Sequence, residues 1–383
     1  MAKKGEMLYA WTTDAGLGKK AECGGAVSGL LKYALESKMV DAVLAVKRGV
    51  DLYDAVPTLI SDPKDIDQTA GSLHCGTVLL SKLMTSYAPS MAGRKLGIVV
   101  KGCDMMGILE LAKRKVINMD DILMIGVNCG GTVSPVKARK MIAEKFGVDP
   151  NTVHKEEIDK GQFIIEYEGG HKGISMDELE DTGYGRRTNC RRCKVKVPRQ
   201  ADLACGNWGV IGDKAGKATF VEVCSDKGAE LLSKAVSANK IAVEPANAKG
   251  IEIRGKVEAS MFKLADKWRK KDFMELAPHL WETIGKETSR CTKCYACIDK
   301  CPVCFPVADR LKKSDMMVRP GTLPVDQMFH LRRLAHISDS CINCGQCEEC
   351  CPMEIPLAVF SHAIRTEEDL FFEPKLGKAP YTN

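Results

Sequence analysis

Hydrophobic residues along the first two thirds of the chain alternate between short β-branched runs and amphipathic segments. Residues 41–46 (DAVLAV), 96–103 (LGIVVKGC) and 121–129 (DILMIGVNC) have the composition of buried strands. Segments with apolar residues at helical spacing lie between them, and in residues 21–38 a glycine turn precedes such a helix. The alternation predicts an α/β domain. Further elements are expected as helices at 71–83 and 136–146, a hairpin at 163–176, and strands at 219–223 and 240–243 around another helix.

The pattern changes after residue 245. A polar stretch at 247–256 leads into a charged amphipathic region at 261–285, and another helix is expected at 323–337. We therefore predict an α/β domain over residues 1–245 with a mixed sheet, followed by a helical linker and a mainly helical domain over residues 246–383.

Composition limits the class of protein. The 383 residues suffice for two or three domains, and the net charge of +6 is spread without a chain-wide basic surface, which argues against nucleic acid as a partner. No apolar run approaches the roughly 18 residues of a membrane span, and the N-terminus lacks the apolar core of a signal peptide. We expect a cytoplasmic protein. In that reducing compartment, 18 cysteines indicate metal binding or catalysis rather than disulfides.

Two cysteine runs near the C-terminus carry the most specific signal. Residues 291–302 (CTKCYACIDKCP) and 341–352 (CINCGQCEECCP) both follow C-x2-C-x2-C-x3-C-P, the spacing of ferredoxins with two [4Fe-4S] clusters. In such ferredoxins the last cysteine of each run binds the other run's cluster. The predicted ligand sets are Cys291, Cys294, Cys297 and Cys351 for one cluster, and Cys341, Cys344, Cys347 and Cys301 for the other.

Three other interpretations of these cysteines fit the sequence less well. Zinc ribbons use paired C-x2-C knuckles, but they need four thiols where eight stand in two matched runs. Disulfides conflict with the expected compartment. The C-x3-C-x2-C spacing of Cys297, Cys301 and Cys304 resembles that of radical SAM enzymes, but too few residues follow it to form their barrel.

A third set of cysteines is spread over the α/β domain. Cys103 and Cys129 end two consecutive predicted strands, where ligands gather in open α/β sheets, and Cys190 and Cys193 form a C-x2-C pair. We expect these four to hold a third [4Fe-4S] cluster, with Cys205 as a substitute ligand. The alternative for Cys103 and Cys129 is that they are buried and act as small apolar residues.

The second pair lies in a basic segment, residues 183–200, which contains no acidic residue. Such a run can be a solvated face or can bind nucleic acid, yet it has almost no aromatic residues between the cations. We interpret the cations as attracting an anionic cofactor. They are Arg186, Arg187, Arg191, Arg192, Lys194, Lys196 and Arg199.

Glycine turns suggest a site for a phosphate, although not a Rossmann site. A glycine pair at the start of a helix, as at residues 23–25, leaves free amides that suit a phosphate, and a turn that merely packs is an equally good interpretation. No Gly-x-Gly-x-x-Gly stands after any predicted strand.

The order of these motifs resembles a known family. AECGGAVSGLL, GSLHCG, VVKGCDMMG, IGVNCGG, CRRC and ADLACGNWG follow one another as in the beta subunits of coenzyme F420-reducing hydrogenases and F420-linked dehydrogenases, over roughly residues 8–245. The two-cluster ferredoxin at the C-terminus makes the chain most similar to the formate dehydrogenase branch of this family, found in methanogens. The chain departs from the family at Lys101-Gly102, where Thr-Pro is frequent, and at His74-Cys75, where an aromatic residue is frequent.

The resemblance implies one FAD, a site for coenzyme F420 stacked on it, and a [4Fe-4S] cluster near the flavin. The cluster ligands carry over to Cys103, Cys129, Cys190 and Cys193. The residues expected to bind cofactor are Cys23, Gly24, Gly25, Ser28, Gly71, Ser72, Lys101, Arg191 and Arg192.

The resemblance also implies a path for electrons. They would pass from a catalytic partner through the clusters to FAD and leave as hydride on F420. No Ser-His-Asp set or paired acid-base carboxylates are visible, so the chain needs a catalytic alpha subunit, a molybdenum or tungsten formate dehydrogenase, and a larger complex such as heterodisulfide reductase is a further possible partner. The alternatives are a hydrogenase or sulfite reductase type of F420-linked enzyme, and an iron-sulfur adaptor without flavin.

Overall fold

The structure is a computed structural model that describes residues 1–91, 93–312 and 327–371. Short β-branched runs form the strands, as their composition predicts. The strands are β1 (Met7–Thr12), β2 (Ala42–Arg48), β3 (Ala55–Ile60), β4 (Leu96–Val100), β5 (Ile122–Val127), β6 (Val153–Asp159), β7 (Gln162–Tyr167), β8 (Gly170–Ser175), β9 (Leu203–Gly206), β10 (Thr219–Val223) and β11 (Ile241–Pro245).

The α-helices lie between these strands and throughout the C-terminal third. In chain order the described helices are α1 (Ala15–Lys20), α2 (Ala26–Glu36), α3 (Leu80–Tyr87), α4 (Gly102–Lys113), α5 (Pro135–Met141), α6 (Met176–Asp181), α7 (Thr188–Arg191), α8 (Asp226–Ser237), α9 (Ala248–Leu276), α10 (Leu280–Thr288), α11 (Ala296–Asp299), α12 (Ala308–Lys312), α13 (Gln327–Ile337), α14 (Gln346–Glu349) and α15 (Leu357–Phe371).

Eight of the described strands form one mixed sheet in the order β11-β1-β10-β9-β5-β4-β2-β3. The central strands β2, β4, β5 and β9 pair in parallel, whereas β1 pairs antiparallel with both β10 and β11. This confirms the predicted mixed α/β sheet. The parallel strands bring the ends of β4 and β5, and the loops that follow them, to one edge of the sheet.

A smaller sheet, β6-β7-β8, packs its own core around Phe163 and Cys75. Its β7-β8 hairpin confirms the hairpin predicted at 163–176, but the turn lies between Tyr167 and Gly170, earlier than the turn expected at residues 169–172. Strand β6 was not predicted. The sequence of β6 alternates charged and apolar residues too weakly to stand out as a strand.

The two faces of the large sheet bury different helices. Leu30 of α2 and Leu232 of α8 share a core with Ile125 on one face. On the other face Ile98 and Met124 pack in a core that includes Phe360 of α15 and Ile298 of α11. The C-terminal domain therefore shares a hydrophobic core with the α/β sheet.

The polar stretch at 247–256 is helical, because α9 begins at Ala248 and continues without interruption to Leu276. Its first turns are anchored to the sheet by Arg254, which is 2% exposed and donates to Glu222 of β10. The chain therefore changes from strand to helix near residue 245, and the helix that follows packs on the sheet. Of the helix expected at 323–337, the structure describes α13 from Gln327 to Ile337. The expected residues 323–326 lie outside the described ranges. Among the described helices, none is long and apolar enough to cross a membrane.

Candidate functional site

One cavity in the C-terminal domain is lined by Cys291, Cys294, Cys297 and Cys351. It has an empty volume of about 360 Å³, part of it open to solvent. Tyr295 adopts a left-handed conformation (φ 60°) just before α11, which turns the loop around the cavity. The amide of Lys293 points at Cys291, with N to Sγ at 3.3 Å. Three thiols of the first run thus surround a space to which the second run adds the fourth.

A second cavity of about the same size repeats this arrangement with the runs exchanged. It is lined by Cys341, Cys344 and Cys347 of the second run and by Cys301 of the first. Gly345 (φ 72°) occupies the place of Tyr295 in the first loop, so the two loops follow similar backbone paths. Each cavity takes its fourth thiol from the opposite run, the crossing that the spacing predicts.

The eight thiols surround cavities rather than meeting at a point. A zinc site brings four ligands within about 2.3 Å of one ion. Among the described residues, no three His, Cys, Asp or Glu side chains form a group that could hold a single metal ion. Burial raises the pKa of the Cys347 thiol, and the Arg333 guanidinium opposes this. The cavities therefore suit a larger group that supplies positive charge to buried thiolates.

The third set of cysteines converges at the edge of the large sheet. Cys103 lies in the first turn of α4 and Cys129 follows β5. Burial raises the pKa of the Cys103 thiol, and the thiols of Cys129 and Cys193 raise it further. The Cys190 thiol likewise adds to the raised pKa of the Cys129 thiol. Each of the four expected ligands therefore lies near at least one other of the set, although Cys103 begins a helix instead of ending a strand.

Cations and donors surround this third set. The Lys101 ammonium lies 2.8 Å from the Asp104 carboxylate and also faces Cys103 and Cys129. Burial lowers the pKa of Lys101, but Asp104 and the two cysteines outweigh burial, so the pKa is raised. Burial raises the pKa of the Cys190 thiol, but Arg187 and the donors of Thr132 outweigh it and hold the pKa below its usual value. These groups favour a thiolate at Cys190.

Cys205 takes a different position. Its thiol is fully buried in the core under α2 and α8, whereas Cys103 packs against the core on the opposite face of the sheet. Burial raises the pKa of Cys205 to about 12, and its charged neighbours are Arg254 and Glu222. The structure gives no support to Cys205 as a substitute ligand.

The third set lies directly against the second cavity. Asn189 donates to the carbonyl of Asn343 at 3.1 Å, and Asn343 donates to the carbonyl of Asn189 at 2.9 Å. Arg187 donates to Glu349 at 2.8 Å and faces the thiols of Cys190 and Cys344, one from each set. Reciprocal hydrogen bonds thus join the two cysteine loops. Sequence reasoning missed these asparagines, although the dipeptide Asn-Cys occurs at 128–129, 189–190 and 343–344 and could have indicated them.

Binding of an anionic cofactor by the basic segment stays a prediction, because the structure shows its cations facing partners within the chain. Arg192 is fully buried and pairs with Asp272 of α9 at 2.5 Å. The guanidinium of Arg191 stacks on Trp268 of the same helix, 4.1 Å from the ring centre. The other cations also have acidic or backbone partners, which are Glu180 for Arg186, Asp266 for Lys194, the Cys190 carbonyl for Lys196, and Glu222 and Glu258 for Arg199. The segment fixes α9 against the third cysteine set.

The expected flavin residues at 23–25 form a tight turn at the start of α2. Gly24 has φ 76°, and a Cβ there would lie 2.2 Å from the carbonyl oxygen of Lys217. Gly25 begins α2 without a side-chain cap, so amides of the first turn stay available. Burial together with Glu22 and Glu157 raises the pKa of the Cys23 thiol to about 11. Ser28 is buried inside α2.

The second expected flavin segment approaches this turn. A Cβ on Gly71 would lie 4.0 Å from the Lys20 carbonyl oxygen. Gly71 and Ser72 are exposed and precede a loop, because α3 begins only at Leu80, so the expected helix at 71–83 starts late. His74 follows in that loop.

His74 connects the expected flavin residues to the third cysteine set. Its ring Nδ1 lies 2.8 Å from Glu156 of β6, and its carbonyl accepts from the amide of Val133 at 2.9 Å. Burial lowers the pKa of His74, but Glu156 outweighs it and the pKa is raised. Thr132, beside Val133, lies 3.8 Å from the Cys190 sulfur. Sequence reasoning missed Glu156, since β6 was not predicted.

Comparison with protein-family models gives three matches. The N-terminal and C-terminal models of the coenzyme F420 hydrogenase/dehydrogenase beta subunit match residues 7–85 and 93–249. A 4Fe-4S dicluster domain model matches residues 287–355.

Curated relatives cover almost the whole chain. The F420-dependent formate dehydrogenase subunit beta of Methanocaldococcus jannaschii is 49% identical over 92% of this chain and 91% of that protein. The F420-dependent formate dehydrogenase 1 subunit beta of Methanococcus maripaludis is 48% identical over 96% of this chain and 95% of that protein. Among solved structures, a chain of the F420-reducing [NiFe] hydrogenase complex from Methanosarcina barkeri shares the fold, with a TM-score of 0.60 and 22% identity over 72% of this chain and 94% of that one.

Proposed function

The chain belongs to the coenzyme F420 hydrogenase/dehydrogenase beta-subunit family, and we propose that it is the F420-reducing beta subunit of a formate dehydrogenase. In this proposal, electrons from formate oxidation in an alpha subunit pass through three [4Fe-4S] clusters to FAD and leave as hydride on coenzyme F420. The proposal is supported by two relatives that are named as beta subunits of F420-dependent formate dehydrogenases and that align with at least nine tenths of the chain.

The observation that carries the proposal is the row formed by the three thiol sets. The Cys291 set neighbours the Cys341 set through the exchanged cysteines Cys301 and Cys351. The Cys341 set neighbours the Cys190 set through the asparagine pair. The Cys190 set neighbours the flavin region through the bond between Val133 and His74. A row of this kind suits stepwise electron transfer from one end of the chain's core to the other.

When bound, the clusters carry single electrons, and FAD converts them into the two-electron hydride that F420 accepts. The residues of this chain position these groups. The twelve thiols hold the clusters, while Lys101 and Arg187 place positive charge beside the thiolates of the third set. The asparagine pair fixes the separation of two loops, so neither cluster site moves independently of the other.

We assign FAD to the region where the 20–25 turn, residues 71–74 and β6 meet. The open amides at the start of α2 suit a phosphate, and Gly24 allows the turn to approach residue 217. His74, with Glu156 behind it, offers a ring nitrogen that can hold a proton near this region. Cys23, Gly24, Gly25, Ser28, Gly71 and Ser72 remain our proposed flavin contacts.

The first cysteine set is the proposed entry point for electrons. Cys294 is exposed, unlike Cys344 at the same position of the second run. An alpha subunit with molybdenum or tungsten would therefore dock near Cys294, and a larger electron-transfer complex such as heterodisulfide reductase could be served from the same end.

Anaerobic analysis of the purified chain tests the proposal. We expect about 12 irons and one FAD per chain, together with reduction of F420 by an artificial one-electron donor such as reduced methyl viologen. A chain with its full iron content but no flavin and no F420 reduction would instead be an electron-transfer adaptor. About eight irons would remove the third cluster from the proposal.

A further inference from the structure

A buried arginine, Arg333 of α13, stands between the two thiol cavities of the C-terminal domain. It is 1% exposed, and none of its three side-chain nitrogens has a hydrogen-bond partner in the described part of the chain. A guanidinium carries five N–H donors and stays charged in proteins. A buried cation without a compensating group is strongly unfavourable, so the site must contain something that compensates it.

The surroundings of Arg333 identify what that is. Its side chain lines the second cavity. The groups that act most strongly on its charge are the sulfurs of Cys297, which lines the first cavity, of Cys347 and Cys301, which line the second, and of the nearby Cys304. Among the described residues, the charged groups with the largest influence on Arg333 are all cysteines. The donors therefore face the sulfur-lined spaces. About one turn earlier on α13, the buried rings of Phe329 and His330 line the first cavity.

We infer that Arg333 is a positioning residue that donates hydrogen bonds to the sulfur atoms of both ferredoxin clusters and raises their reduction potentials. The inference rests on the cluster sites proposed above. Reduction adds one negative charge to a cluster, so a fixed cation beside it stabilises the reduced form, and hydrogen bonds to the sulfurs act in the same direction. Because Arg333 lies between the two sites, it acts on both potentials together.

Two variants and one control test this inference in the full-length chain loaded with iron. Arg333→Gln keeps hydrogen-bond donors but removes the charge. Arg333→Lys keeps the charge but loses the planar, forked set of N–H donors of the guanidinium. Arg332→Gln is the matched control, because the neighbouring arginine on α13 bonds outward to the Arg310 carbonyl at 2.9 Å. The measurements are iron and sulfide content and potentiometric titration of the clusters followed by electron paramagnetic resonance.

In Arg333→Gln we expect the reduction equilibrium of both ferredoxin clusters to shift at least tenfold toward the oxidised form, which is 59 mV for a one-electron couple. Arg333→Lys should shift it less, and Arg332→Gln should not shift it. The third cluster, bound by Cys190 and its partners, should keep its potential in all variants.

The outcomes separate this inference from the cluster assignment. Wild-type protein without the eight ferredoxin irons would refute the assignment itself. Arg333→Gln with a full iron content and wild-type potentials would refute only the role of Arg333. If Arg333→Gln loses its iron and Arg333→Lys restores it, charge compensation is supported. If neither variant binds iron, Arg333 is a packing residue and the inference is wrong.

Discussion

The buried ion pair between Arg192 and Asp272 tests whether the basic segment fixes α9 or binds an anion. Asp272→Asn keeps the size of the side chain and removes its charge. Arg192 is fully buried, and two of its nitrogens, Nε and Nη2, have no other hydrogen-bond partner in the described residues. The variant therefore leaves a buried guanidinium without its anion.

The size of the effect follows from this burial. Removing one partner of a buried pair costs roughly 3 to 5 kcal/mol. The Asp272 side chain is 17% exposed, so water reaches one end of the pair and we expect the lower end of that range, about 3 kcal/mol. Asp266→Asn is the matched control on the same helix, since Lys194 and Asp266 are 39% and 56% exposed and such a pair contributes about 0 to 1 kcal/mol.

Urea unfolding of the iron-loaded protein, followed by tryptophan fluorescence, measures both variants. Trp268 stacks on Arg191 beside the pair, so its emission reports whether α9 leaves the basic segment. The KM for F420 is measured in parallel and should stay at the wild-type value in both variants. If Asp272→Asn has a free energy of unfolding within about 0.5 kcal/mol of wild type and a changed KM for F420, the basic segment does not fix α9 through this ion pair. That result would favour the anion-binding interpretation.

Three further predictions address the other sites. Cys190→Ala should lower the iron content from about 12 to about 8 per chain while the ferredoxin signals stay unchanged by electron paramagnetic resonance; a full iron content would exclude Cys190 as a ligand. Gly24→Ala should reduce the FAD content and destabilise the fold by about 1 to 3 kcal/mol, because φ is 76° and the added Cβ meets the Lys217 carbonyl oxygen; both are checked by flavin absorbance and unfolding. Burial raises the pKa of Glu222, but its two arginine partners outweigh this and hold the pKa below the ordinary value of 4.5. Its stabilisation is therefore present above that value and lost as the pH falls through the lowered pKa, so the gap in unfolding free energy between wild type and Glu222→Gln should be full at neutral pH and shrink below pH 4.5; a gap independent of pH would contradict this.

Several local features could be predicted from the sequence because they depend on short-range spacing. The C-x2-C-x2-C-x3-C-P runs determine which thiols surround each cavity, since a loop with cysteines at every third residue presents them to one side. β-branched runs such as residues 122–127 predicted strands of the sheet. Cysteines at the ends of predicted strands, together with the C-x2-C pair, predicted the third cysteine set, which the family resemblance also implies. Each of these depends on a handful of neighbouring residues or on motifs in fixed order.

Partners distant in sequence decided the remaining features, and only the tertiary structure shows them. Seven cations without an acid among them looked like an anion site, yet Arg192 pairs with Asp272, which lies 80 positions later. In the sequence, Arg333 is one of several charged residues in a predicted helix. Its burial between two cavities depends on how α13 packs. The sequence alone thus determined which groups can bind metal and cofactor. Charge compensation depends on distances between groups that folding brings together, and these distances decided which cations face thiolates and which face carboxylates.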